Sequence, residues 1–128
     1  MMRSIDENHS LRGARIMIVE DELLIALDME SAFREAGAEI VGPFTTVAAA
    51  LDAAGAERLS LAVLDIRLSG ATTEQVSDKL AERGIPFLFY SGQSLPPAMQ
   101  EKCSRAVFVD KPATQEELVG AAARALAA

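Results

Sequence analysis

Short, unbroken apolar runs recur along this chain, each separated from the next by a stretch with helical periodicity. Ile16-Met17-Ile18-Val19, Leu61-Ala62-Val63-Leu64 and Phe87-Leu88-Phe89-Tyr90 show no alternation of apolar and polar residues. A strand of that kind must be covered on both faces, as parallel strands joined by crossover helices are. Two weaker runs, Glu39-Ile40-Val41 and Val107-Phe108-Val109-Asp110, complete a set of five. The expected fold is therefore α/β: a doubly wound, five-stranded parallel sheet in the order 2-1-3-4-5, with helices on both faces. The carboxyl ends of such strands share one sheet edge, where ligands bind.

Local signals set the expected boundaries. Strand one spans about 14–19, and the helix after it runs over about 22–36 to Gly37, a helix-stop residue. Ile25, Met29, Ala32, Phe33 and Ala36 share one face of that helix and should meet the sheet; Leu23 and Leu27 fall roughly opposite. Strand two is expected at 39–41, ended by Gly42-Pro43, and Thr45 or Thr46 can cap the next helix, about 47–54. Strand three, 60–65, leads into a loop, Arg67-Leu68-Ser69-Gly70, and Thr72 or Thr73 opens a helix that runs to Arg83. After strand four, 85–90, Pro96-Pro97 leaves room for only about two helical turns in 92–105. Strand five lies at 106–109, and Thr114 with Glu117 forms a capping box for the last helix.

Composition narrows the class. The chain has 128 residues, half of them apolar, enough for one domain with a single sizeable core. A net charge of −7 opposes binding to nucleic acid or to anionic membranes. The single cysteine, Cys103, allows no internal disulfide and fits a reducing cytoplasm. No apolar run approaches the ~20 residues of a membrane span. Asp6, Glu7 and His9 stand where a signal peptide would need an apolar stretch. Residues 1–12 read as a flexible polar extension and 13–128 as the folded domain, with no output domain attached.

The strand ends carry the chemistry. Glu20-Asp21 follows strand one, Asp65 strand three, Ser91 strand four, and Lys111, with Pro112 behind it, strand five. Three carboxylates, a hydroxyl and an ammonium would converge, a set that suits a divalent cation and a phosphoryl group on an aspartate. Asp65 is the candidate nucleophile. Glu20, Asp21, Asp65 and the backbone carbonyl of Arg67 can hold Mg²⁺ or Mn²⁺. Ser91 can donate to a phosphoryl oxygen, and Lys111 can pair with Asp65 at rest and with the phosphoryl group afterwards. Singly, each has a plainer explanation: a loop acid, a pair of acids at a helix N-terminus, a turn serine before Gly92, a punctuating proline. Their joint placement, at the ends of four different parallel strands, is the informative observation.

Val19-Glu20-Asp21-Glu22, Leu64-Asp65-Ile66, Phe89-Tyr90-Ser91-Gly92 and Asp110-Lys111-Pro112 match in identity, order and spacing the motifs of a known family. Over about residues 14–126 the chain resembles the receiver domain of two-component response regulators, a flavodoxin-like fold. The resemblance implies that Asp65 accepts phosphate from a histidine kinase or histidine phosphotransfer protein and that the acidic pair binds Mg²⁺. It implies that Ser91 and an aromatic, here Phe108, move together on phosphorylation; core packing is the other reading of Phe108. It further implies a cis Lys111-Pro112 peptide, and that Arg67 and Gln93 flank the water path and so tune dephosphorylation. The first helix of the family docks on the kinase, a contact that Leu23 and Leu27 can serve; two singly exposed leucines are also ordinary. Two features depart from the family: the loop after Asp65 lacks a proline and a second glycine, and 92–105 is short and rich in proline. Phe89-Tyr90-Ser91-Gly92 is similar to the Phe-Ala-Thr-Gly-like motif of a mostly single-domain subgroup, with a bulky Tyr90 and a serine, Ser94, where a tyrosine is expected as the exceptions.

The expected function is a stand-alone receiver that takes a phosphoryl group on Asp65 in a Mg²⁺-dependent reaction and signals through protein contacts with a downstream partner. It would be cytoplasmic, monomeric or weakly dimeric, and no enzyme beyond its self-catalysed phosphotransfer and autodephosphorylation. Two alternatives stay open. A phosphatase of the haloacid-dehalogenase type would want a second Asp where Arg67 stands. A receiver-fold interaction module would have no need of an intact Asp65, Lys111 and acidic pair.

Overall fold

The computed structural model describes residues 10–127. Five strands, β1 (Arg15–Val19), β2 (Glu39–Phe44), β3 (Leu61–Leu64), β4 (Phe87–Ser91) and β5 (Val107–Asp110), form one sheet. All neighbours are parallel, as the unbroken apolar runs predict, and the order β2-β1-β3-β4-β5 is the expected one of a doubly wound sheet. The helices are α1 (Leu23–Glu35), α2 (Val47–Ala56), α3 (Glu74–Glu82), α4 (Pro97–Gln100) and α5 (Gln115–Ala127).

Strand alternation divides the core in two. Ile16, Ile18, Val63, Leu88 and Tyr90 pack against Met29 and Phe33 of α1 and Leu118, Ala121 and Ala122 of α5. Met17, Val19, Ala62, Leu64 and Phe89 face Ala50 and Ala54 of α2, Val76 and Leu80 of α3, and Met99 of α4. Alanine lines α2 and α5 where they lie on the sheet, so aliphatic side chains from the strands fill the space between. On α1 the expected face is buried at Met29, Ala32, Phe33 and Ala36, joined by Ala26, while Ile25 is half-buried. Gly37 turns the chain out of that helix at φ +100°, with Arg12 Cα only 3.1 Å from where a Cβ would stand. Thr46 Oγ1 accepts the Ala49 N–H at 3.2 Å. Thr114 and Glu117 form the reciprocal capping box, at 3.0 and 2.8 Å.

Four expectations need correction. β2 does not stop at Val41 but continues through Gly42-Pro43 to Phe44. It is an edge strand, so the missing proline N–H costs no ladder bond. Gly42 at φ +104° accommodates a bulge that restores pairing at Val19↔Phe44. The loop after Asp65 is a small antiparallel ribbon, Arg67–Leu68 against Ala71–Thr72. Residues 92–105 contain a helix of one turn, Pro97–Gln100, followed by further turn residues. Leu11, placed in the N-terminal extension by sequence, is buried in the core, and its N–H donates to Ala36 O at 2.8 Å. Residues 1–9 of the expected extension lie outside the described residues. Among the described residues no helix is long and apolar enough to cross a membrane.

Candidate functional site

The ends of β1, β3, β4 and β5 bring Glu20, Asp21, Asp65, Ser91 and Lys111 to one edge of the sheet. Lys111 reaches back from the turn after β5. Its Nζ lies 2.7 Å from Glu20 Oε1 and 3.0 Å from Asp65 Oδ2. It also stands 5.6 Å from the centre of the Tyr90 ring, within cation–π range. The peptide that carries it, Lys111-Pro112, is cis, as the resemblance implies.

Glu20 is fully buried. Its Oε2 accepts the Glu22 N–H at 3.1 Å, while Oε1 has only the Lys111 ammonium beside it among the described residues. Burial pushes the Glu20 carboxyl above the usual carboxylate range, and the lowering pull of Lys111 does not overcome it. For Lys111 burial works downward, but its hydrogen bonds to Glu20 and Asp65 outweigh it and hold the ammonium above its ordinary value. Asp65 Oδ1 accepts the N–H of Ile66 at 2.7 Å, so each of its oxygens already has one partner. Asp21 is exposed, and its Oδ2 accepts the Ser69 N–H at 3.0 Å.

Carboxylate oxygens of Glu20, Asp21 and Asp65 come within 4.8 Å of one another. Three carboxylates against one ammonium leave the cluster short of positive charge. A hard divalent cation with oxygen ligands, such as Mg²⁺, fits that donor set. A buried glutamate oxygen whose sole partner is an ammonium shared with Asp65 fits it too.

Ser91, the last residue of β4, is buried, and its Oγ accepts the Gln93 N–H at 3.3 Å. Gln93 Oε1 in turn accepts from Arg67 Nε at 3.0 Å. The two residues expected to flank the water path thus join the loops after β3 and β4. Arg67 itself lies in the ribbon, opposite Thr72. Phe108 is not brought into the cluster. It is 38% exposed on β5, so plain core packing does not describe it. Leu23 and Leu27 are exposed on α1 as expected, at 66% and 48%.

The sequence reading misses the parts played by Leu24, Tyr90 and Ser69, and the second role of Thr73. Leu24 is 81% exposed and makes the outer face of α1 a patch of three leucines. Thr73 stands at the start of α3 as expected, but its side chain does not cap that helix: it is buried, its Oγ1 donates to Asp65 O at 2.6 Å and its N–H to Ile66 O at 2.8 Å, closing the loop after β3 on itself. Tyr90 reaches past its strand, and its hydroxyl accepts the Ala113 N–H at 3.1 Å. Ser69 reads as loop from the sequence, although the Ser-Gly pair is a turn signal that marks the hairpin.

The fold has known counterparts. The chain matches the family model of the response regulator receiver domain over residues 16–123. A mutant of the anti-anti-sigma factor PhyR from Bartonella quintana is similar at 27% identity and TM-score 0.77, over 98% of this chain and 52% of that one. The response regulator PhyR from Brucella abortus is similar at 28% identity and TM-score 0.76, over 97% of this chain and 51% of its own. This chain therefore spans about half the length of those two proteins. A response regulator receiver protein from Sinorhizobium medicae shares the fold at 23% identity and TM-score 0.78, with 92% of this chain and 98% of that chain covered. No curated protein matched. With the strand order, the strand-end residues and the family model in agreement, the chain belongs to the response regulator receiver domain family.

Proposed function

We propose that this receiver domain accepts a phosphoryl group on Asp65 from a phosphohistidine donor, with Mg²⁺ bound at Glu20, Asp21 and Asp65, and passes the signal on through protein contacts. The observation that carries this reading is Lys111 Nζ held between Glu20 and Asp65 at 2.7 and 3.0 Å, beside three clustered carboxylates. An Asp65 oxygen attacks phosphorus, an O–P bond forms, the P–N bond to the donor imidazole breaks, and the imidazole leaves. Mg²⁺, when bound, neutralises charge on the phosphoryl oxygens.

The chain's own groups supply the rest. Lys111 follows the charge from the Asp65 carboxylate to a phosphoryl oxygen. The Ser91 hydroxyl accepts from Gln93, so its own proton is free to be donated to the phosphoryl group. The Arg67–Gln93 bond screens the side from which hydrolytic water would approach, which favours a long-lived phosphoaspartate. Phe108 is exposed in this state, and its inward movement with Ser91 is the conformational readout. The reaction ends on the domain's own aspartate, so the protein is a phosphoacceptor and not an enzyme with turnover. The leucines at the start of α1, next in the chain to Asp21 and Glu22, suit an apolar contact with a histidine kinase or phosphotransfer protein. Family membership and an unpaired cysteine support a cytoplasmic location.

Intact mass after incubation with acetyl phosphate and Mg²⁺ tests the reading. Wild type should gain one phosphoryl group and Asp65→Asn none. A wild type that binds Mg²⁺ but gains no mass from acetyl phosphate or from a phosphorylated histidine donor would refute it.

A further inference from the structure

The turn of the ribbon touches the acidic cluster through a group that phosphoryl transfer does not itself require. Glu20 is buried and held by Glu22 N–H and Lys111. Asp21 is exposed, and a free carboxylate side chain in water loses rotamer freedom when it takes up a cation. Ser69 removes part of that freedom in advance: its N–H donates to Asp21 Oδ2 at 3.0 Å, and its hydroxyl stands 3.5 Å from the same oxygen.

The ribbon makes the donor available. Ser69 and Gly70 lie at φ +49° and +87°, and Leu68 pairs with Ala71 across the turn. In a two-residue hairpin turn with both central φ positive, the ladder bonds belong to the flanking residues, so the first central N–H is left over for another acceptor. The base of the ribbon is fixed to the phosphoacceptor strand by Thr73, whose Oγ1 donates to Asp65 O at 2.6 Å. Arg67 Nε ties its flank to Gln93 at 3.0 Å. Pairing and these anchors stiffen a loop that contains no proline.

We propose that the Ser69 amide is a positioning group for Asp21: it holds one carboxylate oxygen and leaves the other for the cation, raising Mg²⁺ affinity before any phosphoryl group arrives. The inference rests on the cation reading given above. Outer hydrogen bonds to metal ligands commonly have this effect.

The test is a Mg²⁺ titration of the ¹⁵N-labelled, unphosphorylated protein followed by amide shifts, on wild type, Ser69→Ala and Ser69→Pro. Ser69→Ala keeps the N–H and should bind within about twofold of wild type, whereas Ser69→Pro deletes it and should bind about tenfold more weakly. Melting temperatures in the absence of Mg²⁺ show whether Ser69→Pro keeps its fold. Because proline cannot adopt φ +49°, a second arm uses the wild-type turn. The Ser69 amide proton should move on Mg²⁺ addition with the same midpoint as that of Ile66, and should shift upfield in Asp21→Asn as the charge on its acceptor disappears. A folded Ser69→Pro that binds as tightly as wild type overturns the proposal. So does a Ser69→Ala as weak as Ser69→Pro, or a Ser69 amide indifferent to both Mg²⁺ and Asp21→Asn. A wild type that binds no Mg²⁺ overturns it together with the cation reading; a wild type that binds while the Ser69 results fail overturns the positioning role alone.

Discussion

The hydroxyl of Tyr90 accepts the Ala113 N–H at 3.1 Å while its ring lies 5.6 Å under the Lys111 ammonium. One buried side chain therefore braces both ends of the Lys111-Pro112-Ala113 turn, which accounts for a bulky residue just before Ser91. Tyr90→Phe keeps the ring and strands the Ala113 N–H, so it should cost about 1 kcal/mol and lower the melting temperature by a few degrees. Denaturant melts of the variant check this. Cys103 shows a different residue-scale effect. Burial pushes its thiol above the ordinary 9.0, against the opposing contact with the Ser77 hydroxyl. The folded state then keeps a proton that the unfolded chain releases. The thiol's contribution is full below that ordinary value and is lost as pH rises from there through the folded-state value. As pH rises past 9.0 the urea midpoint of wild type should fall by more than that of Cys103→Ala. Equal falls would show that the thiol does not titrate differently in the two states.

At the scale of elements, α1 opens without a side-chain cap and without an acid in its first turn. Leucines occupy the outer face of its first turns instead, and Leu24 at 81% exposure adds nothing to the core. Changing exposed leucines to serine should leave stability within about 0.5 kcal/mol. On the docking reading, a Leu23, Leu24 and Leu27 triple serine variant slows phosphotransfer from a protein donor by about tenfold or more and leaves labelling by acetyl phosphate unchanged. Parallel time courses with the two donors separate docking from chemistry. α4 presents the opposite case. Its single turn buries Met99, and Lys102 just beyond it meets Glu74 and Asp78 of α3 at 2.6 and 3.0 Å. These exposed pairs contribute little to stability. The packing of Met99 and Cys103 is what holds the segment to α3.

For the whole molecule, the governing quantity is the charge at one edge of the sheet. A net charge of −7 includes the clustered carboxylates of Glu20, Asp21 and Asp65, and the Lys111 ammonium pairs with the first and last of these. A cation that binds only the folded state stabilises it by mass action, by about 2.7 kcal/mol at a hundredfold excess over Kd. Thermal melts should rise accordingly between EDTA and saturating Mg²⁺. NaCl at matched ionic strength should give a smaller gain, and Asp65→Asn should lose most of the Mg²⁺-specific part. A Mg²⁺ effect no larger than that of NaCl would mean general screening and no site.

By itself the sequence determined the strands, their burial and the residues at their ends. Those features are local: a four-residue apolar run without alternation, a Thr114–Glu117 spacing and a glycine after α1 each specify their own neighbourhood. A parallel sheet then has no choice but to gather Glu20, Asp21, Asp65, Ser91 and Lys111 at one edge. Tertiary structure alone decided which atoms meet there. Ser69 and Asp21 are 48 residues apart, Arg67 and Gln93 26, Tyr90 and Ala113 23. Each of those bonds depends on how segments from different strands lie against each other, and no local periodicity carries that information. The same holds for β2, which runs on through Pro43 because an edge strand tolerates the lost donor. It holds for Leu11, buried only because α1 ends with Ala36 O facing its N–H.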